Sequence, residues 1–191
     1  MVERVIAEPL LTDRLSLAPW SAGGVQLLAR LAAQAEVMRF IGPGTPWPPE
    51  RSAEVSTRCD DHWTHYGFGW RVAVARETGN PLGFIALSFA GDGAGVDSGE
   101  YEIGWWLEPS AWGRGLAREG AAAVRDEAFS RISAPSVLAR IAPANAASLG
   151  VAGAIGMTPE GESRGRSGEP IAVLRVTARD WQTHSEQGPT A

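Results

Sequence analysis

The segment Trp112-Gly113-Arg114-Gly115-Leu116-Ala117 is where this sequence is best equipped to hold an anion. It joins a strand-like run to a helix-like run, and its glycines let the backbone approach a ligand closely. The N–H groups of the first helical turn would point at that ligand, and the helix dipole adds roughly half a positive charge. Phosphate or diphosphate suits such a cradle, although an ordinary tight turn would use the same residues. A Rossmann fingerprint is excluded, because Arg118 occupies the place of its third glycine. Glu102 is the second candidate. Alternation along EYEIGWWLE (100–108) puts Glu100, Glu102 and Trp106 on one face and Tyr101, Ile103 and Trp105 on the other. A carboxylate there is either an outward surface residue or a general base, acting directly or through water on an ammonium acceptor. Asn145, a good N-cap residue, opens the last helical stretch before Ser148.

Two further patterns invite a chemical reading and fail it. Gly161-Glu162-Ser163-Arg164-Gly165 spells G-x-S-x-G, with Asp180 and His184 following in hydrolase order. A nucleophile elbow needs a helix after its serine, whereas Ser167-Gly168-Glu169-Pro170 and another strand-like run follow. Cys59, His62 and His65 stand at helical i, i+3, i+6 spacing without a second ligand cluster, so no metal is expected.

Composition narrows the classes further. A chain of 191 residues supports one substantial domain, and 44% hydrophobic with 20% charged residues describes a folded globular protein. A net charge of −5 argues against nucleic acid as a partner. All 17 basic residues are Arg, so a Walker loop with its Lys is impossible. The lone Cys59 suits a reducing compartment, and Glu3, Arg4 and Glu8 occupy the place of a signal peptide's apolar stretch. No apolar run approaches the ~20 residues of a membrane span. These features together lead us to expect a cytoplasmic protein with no membrane partner.

The elements that must position these residues follow from periodicity. Strands are expected at 14–20, 70–77, 82–89, 100–108, 137–142, 157–162 and 170–177. Helices are expected at 22–41, 50–66, 115–130 and 145–156, with Thr78-Gly79-Asn80-Pro81 turning one hairpin. The pattern predicts an α+β fold, a single mixed and mostly antiparallel central sheet flanked by helices. One domain is expected over 1–182, with 183–191 as a mobile tail. Of the eight tryptophans, Trp47 in its Gly/Pro loop is the one suited to line a substrate entrance. The tryptophan content is also compatible with a homodimer.

EYEIGWWLEPSAWGRGLARE followed by PANAASLGVAGAIGMTPEGE resembles the GCN5-related N-acetyltransferase superfamily, with TDRLSLAPW (12–20) matching its first strand. More narrowly it looks like the branch that includes ribosomal-protein N-terminal acetyltransferases. The resemblance implies acetyl-CoA as co-substrate, no metal, and an amine acceptor, either a protein N-terminus or a small molecule. The family's Gln/Arg-x-x-Gly-x-Gly/Ala loop aligns with Ser110–Gly115, where Ser110 departs from the first position. It implies that amides of about 113–118 (Gly113, Arg114, Gly115, Leu116, Ala117 and Arg118) hold the diphosphate of CoA, with the Arg114 and Arg118 side chains in support. Trp106 and Leu107 would pair with the pantetheine arm, and Asn145 would also meet it. Glu102 takes the place of the family's base, and Ser148 that of a hydroxyl near the leaving thiolate, often a Tyr in the family. The rival readings are a non-catalytic acyl-CoA-binding module of the same fold and an interaction domain with no CoA site.

Overall fold

The computed structural model describes residues 8–91, 99–165 and 168–186. β1 (Leu10–Leu11), β2 (Leu15–Pro19), β3 (Arg71–Ala75), β4 (Pro81–Phe89), β5 (Tyr101–Leu107), β6 (Ser136–Ile141), β7 (Thr158–Arg164) and β8 (Pro170–Thr177) form one sheet. Their order is β1-β2-β3-β4-β5-β6-β8-β7, and every neighbouring pair is antiparallel except β5 with β6. The helices are α1 (Ala22–Ala32), α2 (Ala35–Met38), α3 (Pro49–Tyr66), α4 (Leu116–Ser130), α5 (Ala146–Ala154) and α6 (Ala178–Glu186).

Alternation sorts the strand residues into two cores, one on each face. Leu15, Leu17, Ile85, Leu87, Ile103 and Val137 meet Leu116, Ala121, Val124 and Ala128 of α4. The opposite face carries Phe84, with Trp106, Trp70 and Val72 around it, under Leu28 and Leu31 of α1 and Val55 and Cys59 of α3. Helix α4 lies close on the sheet at Gly120, where an added Cβ would come within 2.9 Å of Ile85. A side chain there would push helix and sheet apart.

Three elements differ from the sequence expectation. The helix expected over 22–41 is two, because Gln34 is extended (φ −89°, ψ 115°) and its side chain bonds Glu108 at 2.9 Å instead of continuing the turn. The short edge strand β1 and the mostly polar helix α6 correspond to no expected element. Helix α6 docks through Ala178 and Trp181, and the Trp181 ring lies 5.4 Å from Phe129 while its indole N–H donates to Asp126 at 2.7 Å. It continues to Glu186, into the stretch expected to be a mobile tail, and 187–191 lie outside the described residues.

A buried ion pair ties the sheet to α4. Arg71, 1% exposed, donates from Nη2 and Nε to Glu127 at 2.6 and 2.9 Å, and from Nη1 to the Leu17 carbonyl at 3.0 Å. Breaking such a pair strands a buried charge, at a cost of about 3–5 kcal/mol. Glu127→Gln is therefore expected to lower Tm by on the order of 10 °C, read by thermal melting. A shift of only a degree or two would mean that the Leu17 carbonyl and the Trp63 ring, 5.0 Å from the guanidinium, already satisfy Arg71.

Candidate active site

Strands β5 and β6 run parallel but pair only at Tyr101↔Val137 and Glu102↔Leu138. Beyond Glu102 they part, while β5 stays paired with β4 as far as Leu107. Glu108 N–H donates to the Leu82 carbonyl on β4 at 2.7 Å, so by alternation the N–H groups of Trp105 and Leu107 point to the other edge, into the gap. The two helix N-termini that follow the parted strands, those of α4 and α5, flank this opening.

A 3-10 turn (Pro109–Ala111) leads from β5 to the glycine loop. Gly113 (φ +68°) and Gly115 (φ +73°) are both left-handed, and Gly115 is the N-cap of α4. A side chain would strain either backbone, although neither lacks room for a Cβ. Trp112, 44% exposed, donates its indole N–H to the Leu107 carbonyl at 2.8 Å and so fixes the strand end.

The opening forms a cleft of about 440 Å³. Nine of the residues singled out from sequence line it: Trp106, Leu107, Gly113, Gly115, Leu116, Ala117, Arg118, Asn145 and Ser148. Arg114 and Glu102 do not. The Arg114 carbonyl is held by Arg14, and its side chain stands outside the lining. Asn145 caps α5, its Oδ1 accepting from the Ser148 amide at 3.2 Å. The hydroxyl of Ser148 accepts from the Trp105 indole at 3.2 Å, which leaves its own proton to donate elsewhere.

Glu102 sits at the last paired position, where the strands part, on the face opposite to Trp105 and Ser148. Arg140 of β6 grips it with two bonds, Nε to Oε1 at 3.0 Å and Nη2 to Oε2 at 2.5 Å. That bond to Glu102, opposed by partial burial and assisted by the Glu100 charge, holds the Arg140 guanidinium above its ordinary value. The carboxylate keeps its remaining lone pairs for another donor.

Sequence reasoning missed the other cleft wall, made by Val37, Arg39, Phe40 and Ile41 at the end of α2, and also Trp105. Trp105 carried a signal, since alternation already placed it opposite Glu102. The α2 wall carried none, because its position depends on the break at Gln34. Nearby, Glu108 accepts from Arg30 and Gln34 at 2.6 and 2.9 Å. Burial pushes the Glu108 carboxyl up, but those bonds and the Arg30 charge outweigh it and hold it below the usual range. Trp47 lies outside the cleft lining, with its ring 5.3 Å from that of Trp106. The G-x-S-x-G stretch lies in β7 and turns back into β8, so it forms no nucleophile elbow. Cys59, His62 and His65 line a separate cavity of about 330 Å³ between α3 and β4.

The family description "Acetyltransferase (GNAT) domain" matches residues 14–158, most of the chain and every residue that lines the cleft. The chain belongs to the GNAT acetyltransferase family. A curated relative, the FsC-acetyl coenzyme A-N(2)-transacetylase of Aspergillus fumigatus, is 28% identical over 167 residues, 80% of this chain. This GNAT chain spans only 66% of that relative's length. Among solved structures, an acetyltransferase from Agrobacterium tumefaciens str. C58 is 28% identical with a TM-score of 0.76, covering 89% of this chain and 94% of its own. The spermidine N-acetyltransferase of Vibrio cholerae, solved in complex with CoA and spermine, shares the fold at 14% identity and a TM-score of 0.70. It covers 90% of this chain and 99% of its own. Among the described residues no helix is long and apolar enough to cross a membrane.

Proposed function

We propose that this GNAT acetyltransferase moves an acetyl group from acetyl-CoA to a primary amine by direct attack in a ternary complex. The observation that carries the reading is the parting of β5 and β6 beside the left-handed glycine loop at the start of α4. Amides of 113–118 and the Arg118 side chain would hold the donor's diphosphate. The Trp105–Leu107 edge would pair with the amides of its pantetheine arm, which resemble a peptide, and Asn145 would border that arm. Acetyl-CoA supplies an activated thioester. The acceptor nitrogen bonds to the carbonyl carbon, the Leu107 N–H donates to the oxygen as it gains charge, and the C–S bond then breaks. The Ser148 hydroxyl, held by Trp105, gives the departing sulfur a proton and regains one from solvent. The proton lost by the acceptor nitrogen passes to Glu102 through water, toward the lone pairs that Arg140 leaves available. An α-amino acceptor is the class we favour, in line with the ribosomal-protein N-terminal acetyltransferase resemblance.

If Ser148 acts in this way, Ser148→Ala lowers kcat by roughly tenfold, about 1.4 kcal/mol, at unchanged CoA affinity. A thiol with a pKa near 8.5 needs only modest help to leave at neutral pH. Steady-state kinetics with thiol detection checks this, and undiminished turnover would make Ser148 a purely structural helix-start residue. One observation favours a second reading, a non-catalytic acyl-CoA-binding module: both Glu102 oxygens are engaged by Arg140. CoA binding without thiol release on any amine would select it.

A further inference from the structure

The glycine loop is braced from behind by residues about a hundred positions away. Arg14, just before β2, donates from Nη1 to the Arg114 carbonyl at 2.8 Å. It also donates from Nε to Glu119 Oε2 at 2.6 Å and from its backbone N–H to Glu119 Oε1 at 2.7 Å. The Thr12 hydroxyl donates to the same Oε1, and Arg76 holds the Thr12 carbonyl at 2.6 Å. Glu119 N–H in turn closes the first turn of α4 onto the Gly115 carbonyl at 3.0 Å. Arg14 therefore grips both the loop and the helix turn that follows it.

The charges at this spot oppose anion binding unless they are balanced. Glu119 stands in the first turn of α4, at the end whose amides and dipole would draw a diphosphate. A carboxylate there takes the same favourable potential for itself and repels a second anion. Burial pushes the Glu119 carboxyl up, but bonds from Thr12 and Arg14 and the Arg14 charge outweigh this and keep it ionised below its usual range. Arg14 is 53% exposed against 16% for Glu119, so it acts by charge and geometry more than by packing.

We propose that Arg14 is a positioning residue for the donor, fixing the Arg114 carbonyl and holding the charge-paired Glu119 carboxylate back against the β1–β2 turn, off the diphosphate. This inference rests on the acetyl-CoA reading. Without Arg14, Glu119 is an unbalanced anion tethered beside the diphosphate and competing with it. The brace leaves the acetyl end of the donor untouched.

The test compares wild type, Arg14→Ala, Glu119→Gln and the double variant by calorimetry with CoA and by turnover. Arg14→Ala is expected to weaken CoA binding about tenfold or more at low ionic strength, with the loss shrinking as salt is added. The double variant recovers most of that loss, because removing the Glu119 charge removes the competitor. Saturating kcat changes less than about twofold, which places the effect in binding and not in chemistry. Turnover of acetyl-pantetheine, a thioester donor with no diphosphate, is the same in all four proteins. Unchanged CoA affinity in Arg14→Ala overturns the brace, as does a double variant no better than the single one, or an equal loss with acetyl-pantetheine. A wild-type protein that binds no CoA overturns the donor reading and the brace with it.

Discussion

Gly115→Val is expected to weaken CoA binding by about a hundredfold or more in a protein that remains folded. Gly115 is left-handed at φ +73° with ψ 5°, and the nearest atom to an added Cβ is Arg14 Nη2 at 3.5 Å. Space is therefore not the obstacle; the backbone is. An L-residue there costs about 1–2 kcal/mol, more when β-branched, against a total stability of about 5–15 kcal/mol. The chain can relieve that strain by turning the 113–115 loop, which re-aims the amides proposed to meet the diphosphate. The backbone argument fixes an order: Asn, which tolerates this conformation, should weaken binding least, Ala more and Val most. Calorimetry with CoA, alongside thermal melts to establish folding, reads it. Equal affinity across the series would remove the loop from the donor site.

Glu102→Gln is expected to cut kcat by about a hundredfold, with the deficit shrinking as pH rises and free amine accumulates. The expectation turns on acceptor acidity. Deprotonating a lysine side chain near pKa 10.4 costs about 4 kcal/mol at pH 7.5, whereas an α-amino group near 7.8 costs well under 1 kcal/mol. A carboxylate already shared with Arg140 has only its outer lone pairs to offer, which suits the lighter task. A matched pair of α-amine and ε-amine acceptors, each followed across pH with both proteins, separates the outcomes. Profiles that differ only in height by a trivial factor would exclude Glu102 as proton acceptor, and a preference for the ε-amine would overturn the acceptor class.

What could be read from the sequence were the features fixed by local pattern. The face assignment of β5 follows from alternation, and the two glycines between a strand and a helix mark a loop whose backbone can approach a ligand closely. Asn145 announced itself as a cap and bonds the Ser148 amide as one. What could not be read depends on partners far away in the chain. The parting of β5 from β6 is a property of two strands, and nothing within either announces where pairing stops. Arg140 lies 38 residues from Glu102, and Arg14 lies 105 from Glu119, so neither ion pair has a local signature. Helix α6 has a weak local signature because ARDWQTHSE is mostly polar, with Ala178 and Trp181 as its apolar contacts to the core.

The central claim, direct transfer from bound acetyl-CoA to an amine, is tested most directly by initial-velocity thiol release. Acetyl-CoA and an α-amino acceptor are varied together over a grid of concentrations. The account predicts acceptor-dependent release with double-reciprocal lines that converge, as a ternary complex requires. Parallel lines with a burst of CoA in the absence of acceptor, or no release with any amine, would contradict it.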